Sequence, residues 1–455
     1  MDGWDEEAWY ARWQEARCHR LLGDEAEFLA AALQAYDMRP WRAEPLYDIA
    51  KFYRERGANE TAALFCEMAS GLPWPAQDKL FIDDFVYQTG LKEEFSIAGY
   101  YCRSAARKQA GRAACFALAL DASAPPASRA LARQNLFFYA PTAEAVIPST
   151  RISRIDFTPP DDYRALNPSV TTWRGQLHVL LRSVNYRIDE AGRYKILHDT
   201  AVNSRNFLLR LDRDLQATQA AEVRLPIDLP SPRHTTHRGF EDGRLFVWGD
   251  ALCCSHTVRE LSPTGMCEIV RARIDKPFAD DCALADWKVL RPFGDQRHEK
   301  NWMPLVEQDT LRFIYSVDPT RIVDEDARTL AKSGPDLSAD HLRGGSQAIA
   351  FDGGWLALVH EAREVASGRN YLHRFIWLDD AFALRRVSEP FCFKKTGIEF
   401  ACGLTWHADA QHLIASFGVD DCAAYLATML AFEVRALLFG TRARQAIGLP
   451  DSIRH

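Results

Sequence analysis

The chain has 455 residues, of which 47% are hydrophobic and 26% charged, and its formal net charge is -7 at pH 7. This length exceeds the size at which one hydrophobic core usually stops growing, so at least two domains are expected. The acidic balance argues against a general nucleic-acid-binding protein, and no run of about 18 apolar residues is present to span a membrane. The 11 cysteines and the lack of a signal-peptide pattern predict reduced thiols and a cytoplasmic location.

The first third of the chain repeats small residues at a spacing of about 34 positions, the period of tetratricopeptide repeats. Ala16 is matched by Ala50 and Gly23 by Gly57, and prolines recur at nearly the same interval. Glycine ends helices and proline cannot continue them. Residues 1–143 are therefore predicted to form a tetratricopeptide-like helical repeat domain. Such an array acts either as a spacer or as a concave surface for a protein or glycan-carrier partner.

The rest of the chain carries short apolar runs separated by Gly, Asp, Asn and Pro. The runs are Gln176–Arg182, Arg244–Trp248, Leu311–Tyr315, Trp355–Val359 and His412–Phe417. Five strand groups with little helix between them predict a five-bladed β-propeller over residues 144–435, followed by a C-terminal tail over 436–455. The predicted fold class is therefore α + β multidomain, with helical repeats before a propeller.

Polar clusters accompany the predicted blades, about one for each blade. Each cluster alone is an ordinary turn or solvated loop. Because the inner strands of a propeller converge on its channel, the clusters together predict one shared pocket, and convergent titratable groups are typical of functional sites. The clusters are Asn167–Ser169, Gly239–Arg244, His298–Pro304, Arg343–Gln347, His360–Glu361 and Phe417–Asp421.

Three segments resemble the β-mannoside phosphorylases of glycoside hydrolase family 130 and the related β-1,2-mannosyltransferases. Gly239–Arg244 is similar to the family's Gly-x-Glu-Asp-Pro-Arg motif, with Gly243 in place of proline. Gly354–His360 is similar to its Gly-Trp-Leu-(apolar)-His segment, and Phe417–Asp421 to its Tyr-Gly-Ala-Ala-Asp segment. The resemblance spans roughly residues 167–427 and implies a five-bladed propeller with a sugar site at its centre.

The resemblance also implies residue roles. Asp242 takes the place of the family's general acid, which protonates the glycosidic oxygen while phosphate attacks the opposite face of the sugar. A phosphate or donor site is predicted at Arg259, Lys300, Arg343 and His360. Substrate-binding residues are predicted to be Asn167, Glu241, Arg244, Asn301, Trp302, Tyr371 and Asp421. No cofactor and no metal are expected, with phosphate, a sugar phosphate or a nucleotide sugar as co-substrate.

These assignments predict an inverting glycosyltransferase or glycoside phosphorylase acting on β-mannoside-like glycans. Tetratricopeptide segments resembling this one lie beside bacterial glycosyltransferase domains, which favours glycan assembly. The alternative is a non-catalytic propeller that binds a glycan or a protein, with the helical repeats recruiting a partner. A hydrolase would need a second carboxylate about 6.5–9.5 Å from the first to activate water. The candidates for that carboxylate are Glu241, Glu299, Asp421 and Glu399.

Overall fold

The computed structural model of the protein describes residues 4–189, 193–291, 297–365 and 368–440, the side chain of Tyr194 excepted. The chain divides into two compact units, Met1–Tyr139 and Ala140–His455. Of the predicted C-terminal tail, residues 436–439 belong to a helix, and residues 441–455 lie outside the described residues. None of the described helices combines the length and the apolar character needed to cross a membrane.

The first unit is helical. Its helices are α1 (Asp5–Leu22), α2 (Glu25–Met38), α3 (Glu44–Glu55), α4 (Asn59–Ser70), α5 (Leu91–Tyr101), α6 (Ala105–Leu120) and α7 (Pro126–Tyr139), with a single π-helical turn over Val86–Gly90. Successive helices pack on one another, and small residues such as Ala16 and Ala50 are fully buried between them. The predicted helical region is thus confirmed, whereas its identification as tetratricopeptide repeats is not.

The repeated glycines have the role that the sequence predicted for them. Gly23 and Gly57 follow α1 and α3 with φ of 83° and 73°, in the left-handed region that favours glycine. Each donates its N–H to a carbonyl of the last helical turn, and the next residue donates to the carbonyl one position earlier. This pair of bonds is the Schellman arrangement, which satisfies carbonyls left over at a helix end.

The second unit begins with the short helix α8 (Ala143–Val146), ends with α9 (Ala431–Phe439) and is otherwise built of strands. The first strands are β1 (Arg151–Arg154), β2 (Arg164–Trp173), β3 (Gln176–Val184), β4 (Tyr186–Ile188), β5 (Tyr194–Ile196), β6 (Val202–Leu211), β7 (Ala217–Val223) and β8 (His237–Arg238). They are followed by β9 (Glu241–Trp248), β10 (Ala251–Val258), β11 (Glu268–Asp275), β12 (Ala283–Leu290), β13 (Met303–Glu307), β14 (Thr310–Val317), β15 (Thr320–Val323) and β16 (Thr329–Ser333). The last are β17 (Arg343–Gly344), β18 (Ile349–Phe351), β19 (Gly354–Val365), β20 (Gly368–Leu378), β21 (Leu384–Val387), β22 (Glu399–Trp406), β23 (His412–Val419) and β24 (Ala423–Leu430).

These strands form a five-bladed β-propeller. Blade one contains β2, β3, β6 and β7, blade two β9–β12, blade three β13–β16, and blade four β17 and β19–β21. Blade five contains β22–β24, and β1 pairs antiparallel with β24 to complete it, so a strand from before blade one closes the ring. Each of the five predicted apolar runs falls in a different blade, which confirms the predicted fold class.

Close backbone approaches fill the centre of the ring, where β2, β9 and β22 contact one another. The polar cluster Arg343–Gln347, which taken alone could be an ordinary turn or solvated loop, is tightly packed from Gly344 onward. A Cβ on Gly344 would lie 2.0 Å from the carbonyl oxygen of Asn301, and one on Gly345 would lie 2.5 Å from that of Leu358. Glycine is therefore required here by contact between blades. The Gln347 side chain also donates to the Val170 carbonyl of blade one, at 2.7 Å.

Candidate active site at the centre of the propeller

A cavity of about 420 Å³ lies where the five blades meet. Every blade contributes to its lining, as expected when inner strands converge. Most of the predicted site residues line this cavity: Asn167, Glu241, Asp242, Arg259, Lys300, Asn301, His360, Tyr371 and Asp421. The lining residues that sequence reasoning did not select are Arg182, Tyr186, Val202, His237, Cys267, Arg369, Ile398 and Phe400.

Three predicted site residues lie elsewhere. Trp302 is in the hydrophobic core beside Phe313, and its indole N–H donates to Glu299 at 3.0 Å. Arg343 lines a neighbouring cavity. Arg244 is buried next to the central cavity and reaches the site indirectly, by donating to the Asn301 side chain at 2.8 Å. The structure therefore gives Trp302 a packing position and Arg244 a supporting one.

Strained backbone marks four of the cavity-lining residues. Asn167, Asp242, Asn301 and Asp421 have φ of 43°, 45°, 62° and 49°. Each is Asn or Asp, the residue types besides glycine that best tolerate the left-handed region. Such strain costs about 1–3 kcal/mol per residue and is typical of functional sites. Here the strained residues all place short polar side chains in one cavity.

Asp242 owes its position to a β-bulge near the start of β9. Between the pairs Glu241–Thr257 and Arg244–Ser255, β9 contains one residue more than β10. A bulge turns a side chain out of the regular alternation of a strand. A Cβ on Gly243 would lie 2.5 Å from the ring of His256, so a larger residue cannot follow Asp242 in this packing. Gly243, which differs from the proline of the family motif, therefore fits its surroundings.

Asp242 is held as a carboxylate. Its Oδ1 accepts hydrogen bonds from Arg182 Nη1 at 2.8 Å and Asn167 Nδ2 at 2.9 Å. Burial raises the pKa of this carboxyl, but the charge of Arg182 and the hydrogen bond from Asn167 outweigh burial and lower the pKa to about 2. At neutral pH Asp242 is therefore ionised before a ligand binds, and it can accept a proton.

The other cavity carboxylates have different surroundings. Glu241 lies 3.8 Å from Arg182, which bridges it to Asp242. Asp421 accepts a hydrogen bond from the Tyr186 hydroxyl at 3.2 Å, and burial raises its pKa. Arg182 is thus the organising cation of this corner of the cavity. Its sequence signal was a lone arginine at the end of an apolar run, in Leu180-Leu181-Arg182.

The two other carboxylates considered for water activation are occupied by structural bonds. Glu299 accepts from the Trp302 indole and from the Tyr315 hydroxyl at 3.1 Å. Glu399 is fully buried, and its oxygens accept backbone N–H groups from residues 393–395. Of the four candidates, Glu241 and Asp421 are the two that share the central cavity with Asp242.

Cations face the same cavity. Arg259 and Lys300 line it, and within the described residues neither pairs with a carboxylate; Arg259 Nε donates instead to the Gly265 carbonyl at 2.7 Å. Arg244 lies buried beside them, and its three hydrogen bonds go to neutral acceptors: the Gly345 carbonyl, the Asp242 carbonyl and the Asn301 amide oxygen. A buried charge without a counterion is costly unless a ligand supplies one. The cavity therefore favours an anionic ligand.

His360 lines the cavity as a neutral ring. Burial, together with the nearby His373 and Arg244, lowers its pKa to about 3. Its Nδ1 is buried and has no hydrogen-bond partner among the described residues. The ring packs against Tyr371 and Phe400, with centroid distances of 5.6 Å and 5.0 Å. His360 can thus form a hydrogen bond to a ligand as a neutral ring and does not add a positive charge to the predicted phosphate site.

A cluster of potential metal ligands lies outside the cavity lining, in the turn between β22 and β23. Asp409 Oδ2 is 2.9 Å from His407 Nδ1 and 2.7 Å from His412 Nδ1. Asp409 also accepts the backbone N–H groups of Gln411 and His412, at 2.8 Å and 3.0 Å. These bonds explain why the three side chains lie together: they hold the turn in place. The expectation that the protein needs no metal stays a prediction.

Known proteins offer limited comparison. No protein-family model and no curated protein matches the sequence. Solved structures align with part of the chain. β-1,2-Mannobiose phosphorylase from Listeria innocua aligns at 16% identity and TM-score 0.43, covering 66% of this chain and 98% of that one. A glycosyl hydrolase from Bacteroides ovatus aligns at 14% identity and TM-score 0.42, covering 64% and 92%. A GDP-Man-dependent mannosyltransferase from Leishmania mexicana aligns at 12% identity and TM-score 0.40, covering 62% and 90%.

Proposed function

We propose that the protein is a carbohydrate-active enzyme that transfers a glycosyl group, with inversion, between a phosphate-bearing leaving group and a hydroxyl of a β-mannoside-like glycan. One observation carries the proposal. The ionised carboxylate of Asp242 shares a cavity with the cations Arg259 and Lys300, which have no carboxylate partner among the described residues. A proton acceptor and an anion site side by side suit the transfer of a group from phosphate to a hydroxyl.

In the direction of synthesis, Asp242 takes the proton of the acceptor hydroxyl. The acceptor oxygen forms a bond to the anomeric carbon as the bond from that carbon to the phosphate oxygen breaks. The leaving phosphate keeps the electron pair and is stabilised by Arg259 and Lys300. One displacement inverts the anomeric centre and needs a single carboxylate. In the reverse direction, phosphate attacks the anomeric carbon and protonated Asp242 returns its proton to the glycosidic oxygen.

The remaining lining is suited to a sugar. Tyr186, Tyr371 and Phe400 add aromatic surface, while Asn167 and Asn301 add amide groups. Small-molecule sites commonly combine aromatic walls with a few placed polar groups. We further propose that the helical unit recruits a protein or a glycan carrier.

Replacing Asp242 by Asn tests the proposal. Purified protein is supplied with mannose 1-phosphate, other sugar 1-phosphates and nucleotide sugars, together with manno- and gluco-oligosaccharide acceptors, and released phosphate or nucleotide is measured. Loss of the proton acceptor should reduce turnover about 10²- to 10⁴-fold while sugar binding persists. Asp250→Asn is the matched control, because Asp250 is exposed and its carboxylate pairs only with Arg174 among the described residues.

Turnover by the Asp242→Asn variant at the wild-type rate would exclude Asp242 as the proton acceptor. If the wild-type protein binds manno-oligosaccharides but releases nothing from any donor, the propeller is a recognition module. That result would favour the non-catalytic alternative, in which the helical unit and the propeller act together in recruitment.

A further inference from the structure

A second, larger cavity of about 720 Å³ adjoins the central one. It is formed by blade three and the start of blade four, and it shares Lys300 and Asn301 with the central cavity. A ligand that occupies the central anion site can therefore extend past Lys300 into this space. Two of its lining residues, Lys300 and Arg343, belong to the phosphate or donor site predicted from the sequence.

The lining of the second cavity carries an excess of available positive charge. Arg321, Lys332 and Arg343 line it together with Lys300, and none of the four forms an ion pair with a described carboxylate. The acidic side chains in the same lining already have partners. Glu299 accepts from Arg297 and two aromatic side chains, Asp318 accepts the Ala339 N–H, and Asp340 accepts from the Ser338 hydroxyl.

Two of the arginines are positioned in advance by an aromatic ring. The guanidinium carbons of Arg297 and Arg321 lie 5.1 Å and 4.7 Å from the centroid of the Tyr315 ring. Arg321 is further fixed by donating to the Thr329 hydroxyl at 2.6 Å. Cation–π contact and this hydrogen bond limit the motion of the Arg321 side chain, so less entropy is lost when it binds an anion.

Arg259 and Lys300 of the central cavity are sufficient to bind a single phosphate group. The additional cations and volume suit a larger anion that bears a second phosphate and a bulky polar group. We infer that the second cavity binds the nucleoside diphosphate part of a nucleotide-sugar donor, with the diphosphate reaching across Lys300. This inference rests on the proposed glycosyl transfer and names the donor class for it, a nucleotide sugar rather than a sugar 1-phosphate.

Isothermal titration calorimetry of the full chain with GDP, UDP, ADP and inorganic phosphate tests the inference. At least one nucleoside diphosphate should bind about 10-fold or more tightly than inorganic phosphate, because it engages both cavities. The double variant Arg321→Ala and Lys332→Ala should lose about 10-fold in affinity for that nucleotide, while its affinity for inorganic phosphate changes less than about 2-fold. The control is Lys288→Ala with Arg385→Ala, which removes the same charge from two exposed cations that line neither cavity.

Two results would overturn the inference. One is that all three nucleotides bind wild-type protein no more tightly than inorganic phosphate, a result that needs no variant. The other is that the Arg321 and Lys332 double variant binds the preferred nucleotide as the wild type does. Failure of the nucleotide site can be told apart from failure of the proposed function.

If the protein releases phosphate from a sugar 1-phosphate in a reaction that depends on Asp242, but binds no nucleotide, the nucleotide site is rejected and glycosyl transfer is retained. Nucleotide binding without turnover of any donor retains the second cavity and rejects the enzyme.

Discussion

Two buried arginines, one in each unit, show how differently the protein treats charge. Arg42 of the helical unit is fully buried and bonded to Glu44 at 2.7 Å and Asp78 at 3.0 Å, and it lies over the Trp9 ring. Arg244 of the propeller is equally buried but bonds only neutral oxygens among the described residues. The carboxylates raise the pKa of Arg42 despite burial, whereas burial lowers that of Arg244. Arg42 thus holds two carboxylates of the helical unit, whereas Arg244 holds the cavity residues Asp242 and Asn301 through neutral oxygens.

The largest stability effect should come from removing the neutralised arginine. Arg42→Met leaves Glu44 buried without its cation and leaves Asp78 with Arg39 alone, so the helical unit should lose about 3–5 kcal/mol of unfolding free energy. Urea denaturation followed by circular dichroism measures this. Arg12→Met, which breaks an exposed pair with Glu15, should cost about 0–1 kcal/mol. Equal effects for the two substitutions would remove the basis for calling Arg42 structural.

Acidification should lower the stability of the propeller, because His373 is buried in it as a neutral ring. Burial lowers the pKa of His373 to about 3, so between pH 6.5 and 3 the unfolded chain binds a proton that the folded chain does not. Stability contributed by this residue is therefore present above pH 6.5 and lost as the pH falls, by up to about 1.4 kcal/mol per pH unit.

His373→Gln isolates this contribution, since glutamine does not titrate. Between about pH 6.5 and 5, urea midpoints of the wild type should fall relative to those of the variant. His412→Gln, on an exposed turn, is the control. Parallel pH profiles for wild type and the His373 variant would mean that the histidine is not held neutral.

Arg244→Met sharpens the comparison in the other direction. Because Arg244 bonds no carboxylate among the described residues, its loss should cost less stability than that of Arg42, about 1–2 kcal/mol for the acceptors left unpaired. Affinity for inorganic phosphate should fall about 10-fold, since a buried cation beside the cavity is gone. Calorimetric titration with phosphate and urea denaturation give both values. A loss of stability as large as that of Arg42→Met with unchanged phosphate affinity would make Arg244 a structural residue.

The smallest effect is expected at His360. His360→Ala removes a neutral hydrogen bond, worth about 1 kcal/mol, so phosphate or donor affinity should fall roughly 5-fold. Affinity for a manno-oligosaccharide acceptor should change less. Separate titrations with phosphate and with the acceptor measure the two affinities. Equal losses of both would mean that His360 supports the packing of the cavity and does not contact the phosphate.

The sequence carried the local features of the fold and of the site, and it missed features that depend on blade packing. Apolar runs and turn residues predicted the five blades, and the resemblance of Gly239–Arg244 to a family motif drew attention to Asp242. Arg182 was missed because an arginine in an apolar strand gives no local sign of the aspartate it pairs with, 60 positions away in the chain. Trp302 was misplaced because a tryptophan beside polar residues is as typical of a ligand platform as of a core.

The ring closure has a consequence for biosynthesis. Strand β1 leaves the ribosome before blade one, yet its partner β24 is among the last strands to be made. Until then β1 has no edge to pair with and blade five is incomplete, so the propeller depends on contacts of very high sequence separation. Folding of the helical unit does not depend on a late segment in this way, because most of its contacts join neighbouring helices. During translation the first unit can therefore be folded, and free to meet a partner, while the propeller ring is still open.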